Sequence, residues 1–190
     1  MTRRFDLLVA ALLVAAPATA QESAYTTLAY DACLTLDAPE PGEPAEWVVL
    51  ECEGWGDYPV IVRDSDGRMS LAYGFAPEEL PWTSFQSFNR VHDTIEWRLR
   101  EGRPFATVHR WLVSDLEGGE RQVLVVSRVW QPDSAPGCRV GFVDAQANPD
   151  ANVLARDVAD RLALGFMCGE EEPRWHGATT ARTPTPISAP

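Results

Sequence analysis

Arg98, Thr107, His109, Trp111 and Arg128 are the residues whose types and spacing come nearest to a binding chemistry. Arginine carries a planar fork of donors that matches a carboxylate or phosphate two bonds at a time. A hydroxyl between two such forks, with Trp111 or Trp130 alongside to stack a ring, would clamp a small anionic ligand. The commoner meaning of such a group is a solvated sheet face laced with cross-strand ion pairs, in which Glu96 serves His109 and Arg98.

The clamp needs three adjacent strands, and the sequence marks them. Thr94–Arg100, Phe105–Ser114 and Arg121–Gln131 read as a meander with turns at Glu101-Gly102-Arg103-Pro104 and Glu117-Gly118-Gly119. If Arg100 pairs with Phe105, Arg98 faces Thr107 and Glu96 faces His109. If Ser114 pairs with Arg121, Thr107 faces Arg128 and His109 faces Val126. Period-two alternation then puts Ile95, Trp97, Leu99, Val108, Leu112, Val123, Val125 and Val129 on the opposite, apolar face. Arg110 and Ser127 are its awkward members.

The cover for that face lies downstream. A fourth strand, Arg139–Ala145, precedes a helix expected to be capped by Asn148, with Pro149 in its first position. Ala151, Leu154, Ala155, Val158, Ala159, Leu162, Ala163 and Phe166 form its apolar stripe, opposite Arg156, Asp157, Asp160 and Arg161. Upstream, Trp47–Glu53 reads as a strand. Tyr58–Arg63 and Arg68–Tyr73 flank Asp64-Ser65-Asp66-Gly67, a hairpin turn rather than a calcium loop, because the EF-hand ligand positions fall on Val62 and Tyr73. Residues 21–46 read as an irregular lead-in. In the connection 74–93, Trp82, Phe85 and Phe88 recur every third residue after Pro81, which suits a short helix laid on the sheet or an aromatic lid. The expected fold is α+β: a mainly antiparallel sheet of about six or seven strands with one major C-terminal amphipathic helix on one face.

Around that fold the chain divides into residues 1–20, a single disulfide-stapled domain at 21–172, and a disordered Thr/Pro-rich tail at 173–190. Arg3 and Arg4, the apolar run Leu7–Ala16 and the small-x-small seat Ala18-Thr19-Ala20 have the form of a secretory signal peptide. The apolar run is too short to span a bilayer, and Gln21 rather than Cys follows the cut, so no stable membrane anchor is expected after cleavage. The expected location is the periplasm or the exterior. An even count of four cysteines in an exported chain favours two disulfides, and Cys33–Cys52 with Cys138–Cys168 closes the two modest loops. The stretch from Cys138 to Gly169, containing GFVDAQANPDANVLARDVADRLALGFMCG, resembles small exported proteins of alpha-proteobacteria that are themselves uncharacterised. The resemblance implies an exported single domain and no activity.

Composition removes several function classes. The net charge of −12 argues against nucleic acid, whose phosphates need a basic surface. All 16 basic residues are arginine, which excludes Schiff-base chemistry and a lysine base, although a GC-rich genome explains the bias as simply. There is no CxxC, GxSxG, HExxH, Walker loop or GxGxxG. The three histidines, His92, His109 and His176, have no partner at helical ligand spacing, so no metal and no cofactor is expected. The reading that remains is a non-enzymatic periplasmic binding or envelope-associated protein, using the Arg98/Thr107/Arg128 face or the aromatic connection at 82–88. Its partner would be a small anionic ligand or an envelope protein. A small carboxylate-dependent hydrolase and an acidic inhibitor of a basic envelope enzyme such as lysozyme are the alternatives.

Overall fold

A computed structural model of the protein describes residues 21–115, 117–133 and 135–187. Residues 1–20, the expected signal peptide, lie outside the described residues. The strands are β1 (Glu22–Thr27), β2 (Leu34–Asp37), β3 (Trp47–Trp55), β4 (Tyr58–Ser65), β5 (Arg68–Tyr73), β6 (Ser84–Phe85), β7 (Asn89–Arg100), β8 (Arg103–Ser114), β9 (Glu120–Arg128) and β10 (Cys138–Asp144). After these come helix α1 (Ala151–Leu162) and the short strands β11 (Arg174–Trp175) and β12 (Pro186–Ile187). They form a six-stranded sheet β1-β7-β8-β9-β10-β11, a four-stranded sheet β2-β3-β4-β5, and the pair β12-β6.

The protein is therefore mostly β with one helix, but the expected single sheet is two packed sheets. The six-stranded one is mixed, because β11 runs parallel to β10. The cause is visible along β7 and β8, where Ile95–Leu99 and Pro104–His109 are buried without alternation. A sheet covered on both faces has no polar side to reveal itself by period two. On one face, Ile95, Trp97, Trp111, Val125 and Phe142 share a core with Val60, Val62, Leu71 and Tyr73 of the four-stranded sheet. On the other, Ala106, Val108, Leu124, Val126 and Val140 lie beneath Ala151, Ala155, Val158 and Ala159 of α1. The apolar residues assigned to the helix side thus divide, and Ile95, Trp97, Val123, Val125 and Val129 meet the second sheet instead.

Turn chemistry sets two of the hairpins. Asp66 and Gly67 take φ of 50° and 66°, and Glu101 and Gly102 take 52° and 74°. Consecutive left-handed residues match the right-handed twist of the strands they join. The disulfides Cys33–Cys52 and Cys138–Cys168 form as expected from the loop lengths. The first ties the chain before β2 to β3. The second ties the start of β10 to the chain beyond α1.

Three segments depart from expectation. The lead-in is not irregular: β1 pairs along β7 from Glu22↔Leu99 to Thr27↔Thr94, and β2 edges β3. Both are edge strands, and their polar composition gives no apolar alternation. The connection 74–93 is extended rather than helical. Pro77 and Pro81 lack amide donors, and the carbonyls of Leu80, Pro81, Thr83 and Ser84 bind arginine side chains instead of the amides of a next helical turn. Asn148 does not cap α1, which starts at Ala151 after Asp150 without a side-chain cap.

The Asn148 amide instead holds both the N–H and the C=O of Ala178. That contact belongs to the third departure, because the described part of the supposed disordered tail is packed on the domain. β11 extends the large sheet, β12 pairs with β6, Arg182 bridges to Asp115, and Thr183 donates to Asp144 at 2.6 Å. Thr/Pro-rich composition describes the segment but not its partners. Asp144 is fully buried and collects Thr183, Arg121 and the Gln146 and Ala147 amides. Burial alone would raise its carboxyl, but these donors outweigh it and hold the group below its ordinary range. Deleting residues 177–190 should lower the unfolding free energy by about 2 kcal/mol, the size of a hydrogen bond to a charged group. An unchanged urea midpoint would show that the tail contributes nothing.

Candidate functional site

The five residues of the expected clamp do not converge. The observed pairs are Arg98↔Ala106, Trp97↔Thr107 and Ile95↔His109, one residue out of step with Arg98 facing Thr107. On the next ladder, Arg128 faces Ala106, Thr107 faces Ser127 and His109 faces Val125. The first slip arises at the irregularity between Arg98 and Leu99, close to the Glu101-Gly102 turn, and the second at the next hairpin, where Ser114 pairs with Glu120 rather than Arg121. A one-residue slip moves side chains to the opposite face. Arg98 and Arg128 consequently point to the helix layer, whereas Thr107, His109 and Trp111 point into the core between the sheets.

On the helix side the charges are structural. Arg98 is 6% exposed and reaches both oxygens of Asp160 on α1, at 2.8 Å from Nε and 2.7 Å from Nη2. Glu96 takes Arg156 Nε at 2.6 Å, and Ser23 of β1 joins Glu96 to Arg98. Arg128 donates to the carbonyl of Phe166, just beyond the C-terminal end of α1. Asp157 and Asp160, assigned to the solvent side of the helix, thus divide, with Asp160 turned toward the sheet. Asp160→Ala should cost about 3 kcal/mol of stability because it leaves a buried guanidinium with only Glu96, 3.9 Å away, as counter-charge. Pairing it with Arg98→Met should restore most of the loss in urea unfolding; failure to recover would assign the cost to the helix instead.

On the core side, His109 and Thr107 have no exposed surface and Trp111 has 1%. His109 Nε2 lies 2.6 Å from the His92 carbonyl, so it carries the proton, and Nδ1 accepts from the Tyr73 hydroxyl at 2.8 Å. Thr107 Oγ1 and Trp111 Nε1 approach the same hydroxyl without a hydrogen-bonding geometry. Burial, assisted by the charge of His92, pushes His109 from 6.5 down to about 4, and the His92 carbonyl offsets this only in part. Burial likewise raises the Tyr73 hydroxyl far above its ordinary value. Both groups are neutral at pH 7. The pair fixes the sheet-to-sheet packing.

The pH consequence has a definite sign. An unfolded imidazole gains its proton near 6.5, whereas the folded one resists until about 4. Stability from this residue is therefore complete above 6.5 and falls by about 3 kcal/mol as the pH drops toward 4. His109→Gln should flatten that slope in unfolding measurements taken between pH 7 and 4. A variant curve parallel to that of the wild type would show that His109 is not its source.

A different site is built from residues that the sequence did not single out. Arg139, on β10, faces the core because Val140 is an extra residue at a bulge between Arg139 and Gly141. Its guanidinium lies 4.6 Å from the Trp111 ring centre, 5.4 Å from Phe85 and 5.9 Å from Phe142. It donates to the carbonyls of Ser84 and Thr83 at 2.8 and 2.9 Å. From the other sheet, Arg63 of β4 donates to Leu80 O, Pro81 O and Ser70 Oγ. The connection between β5 and β6 is thus gripped by a guanidinium from each sheet. Its first residue, Gly74, takes φ 87° and bridges to Trp130, whose carbonyl would lie 2.2 Å from any Cβ placed there.

Behind this strap is a partly enclosed cavity of about 60 Å³ lined by Arg63, Tyr73, Leu80, Thr83, Trp130 and Arg139, among others. Arg128 also borders it, while its guanidinium serves the helix. Burial lowers Arg139 to about 9 and Arg63 by less, so both are cations at neutral pH. Among the described residues neither is in an ion pair, whereas Arg98, Arg121, Arg156 and Arg182 each meet a carboxylate. No trace of this pairing was legible beforehand, since Arg139 sits in an ordinary strand and only the bulge turns it inward. Trp82 and Phe88, candidates for an aromatic lid, are apart from it: Arg63 stacks on the first, and the second is 55% exposed beside Gly67. Comparison with protein-family models, with curated proteins and with solved structures returns no match.

Proposed function

We propose that this chain is an exported binding protein, cleaved after Ala20, which holds a small ligand in the cavity between the strap 74–83 and the large sheet. The observation that carries the reading is the cavity itself, lined by an arginine from each sheet, neither of which is in an ion pair among the described residues. Apolar walls with a few convergent polar groups are the usual make-up of a ligand pocket. Two disulfides suit an oxidising compartment, and no helix among the described residues is long and apolar enough to cross a membrane. The resemblance of the segment Cys138–Gly169 to small exported proteins agrees with this location. The proposed ligand-facing residues are Arg63, Tyr73, Thr83, Trp130 and Arg139, replacing the dispersed set around Arg98 and Arg128.

Two measurements test it together. Protein recovered from a periplasmic extract should begin at Gln21, and a chain retained in the cytoplasm with its leader intact would overturn export. Titrating the folded protein with small probes, among them propionate, propionamide and glycerol, should move the amide resonances of residues 72–74 and 137–139 saturably with at least one of them. Shifts confined to the outer surface, or none, would overturn the cavity as the site.

A further inference from the structure

Resting on that reading, we infer that the cavity takes a small organic carboxylate, its head group between Arg63 and Arg139 and its alkyl part against Leu71, Leu80 and Trp130. A guanidinium offers five N–H donors. Among the described residues Arg139 makes two hydrogen bonds and Arg63 three, all to neutral acceptors. Carbonyls satisfy direction but not charge, and a buried cation without a counter-ion is costly. In a chain with 28 acidic residues, none of the described carboxylates forms an ion pair with either arginine, which leaves the position open for one from outside.

Size and walls narrow the class. A cavity of about 60 Å³ holds roughly four ordered waters, or one carboxylate with two or three carbons attached. Leu71, Ala72, Leu80, Pro81 and Trp130 present apolar surface to the remainder. A phosphate dianion would be held against hydrocarbon on the apolar side of the cavity. A monocarboxylate needs one fork of donors and welcomes the apolar wall. Its entry would neutralise the pair that grips Leu80, Pro81, Thr83 and Ser84, so occupancy and the hold on the strap are linked.

The test is a titration of the full mature chain with sodium propionate, sodium phosphate, sodium chloride and propionamide at pH 7, followed by amide shifts and melting temperature. Propionate should bind saturably at residues 72–74 and 137–139 and raise the melting temperature. Arg139→Met should weaken it by about tenfold or more, the equivalent of one charge-assisted contact. Arg63→Met is half-buried rather than central, so it keeps the test alive if the first variant fails to fold; it should weaken propionate in the same sense. Equal binding of propionamide, chloride or phosphate at these residues, or unchanged propionate binding in Arg63→Met, would overturn the carboxylate assignment while leaving a binding cavity. Absence of any probe from these residues would overturn both.

Discussion

Burial of the six-stranded sheet on both faces is the constraint from which the rest of the structure follows. Four strands of a second sheet cover one side and α1 the other, so a polar side chain in the covered middle of β7 through β10 has nowhere to meet water. Each must find its partner inside or cost several kcal/mol. Arg98 finds Asp160, Glu96 finds Arg156, His109 finds Tyr73, and Asp144 finds Arg121 and Thr183. These pairs connect layers, and each therefore helps specify how the layers sit. Arg139 is the exception, because its partners are carbonyls and rings rather than an opposite charge.

The same constraint decides what was legible in the sequence. Strands with one wet edge or a strong turn were readable: the meander, the 58–73 hairpin and the fourth strand all stand within a few residues of where their turns and β-branched residues place them. Both cysteine pairs followed from loop length. The faces were not readable, since assignment by alternation presumes that one side is polar, and the central strands bury both. The pairing of Ser114 with Glu120 rather than Arg121 put Arg128 on the side opposite Thr107, His109 and Trp111, and an irregularity beside Leu99 did the same to Arg98. A second, at Val140, turned Arg139 inward. Bulges carry no mark that a reading of hydrophobic period can detect.

Segments at both ends show a related limit. β1, β2, β11 and β12 are short or lie at an edge, and each is held by pairing with a partner distant in sequence rather than by its own composition. β12 on β6 is informative, because β6 also supplies the carbonyls held by Arg139. The C-terminal strand therefore braces the outer side of the strap whose inner side faces the cavity. Trp130 braces its beginning through Gly74. Between these two fixed points, Arg63 and Arg139 grip the carbonyls of residues 80–84 while Ser70 and Asn89 take the Thr83 amide and the Ser84 hydroxyl, and the arginine grips are the bonds that a ligand would compete with or reinforce.

The lysine-free composition acquires a physical meaning at these positions, whatever its origin. Arg98 satisfies both oxygens of Asp160 with two parallel bonds, which one ammonium cannot do. Arg139 lies near three aromatic rings and still reaches two successive carbonyls from its edge, an arrangement that needs a flat, weakly hydrated cation. A lysine there would present one compact, strongly hydrated charge, and burial would favour its neutral form far more readily. An arginine so buried stays charged. A positive charge in a protein of net charge −12, paired with none of the described carboxylates, is a property that the packing of the strands maintains rather than one that the composition supplies.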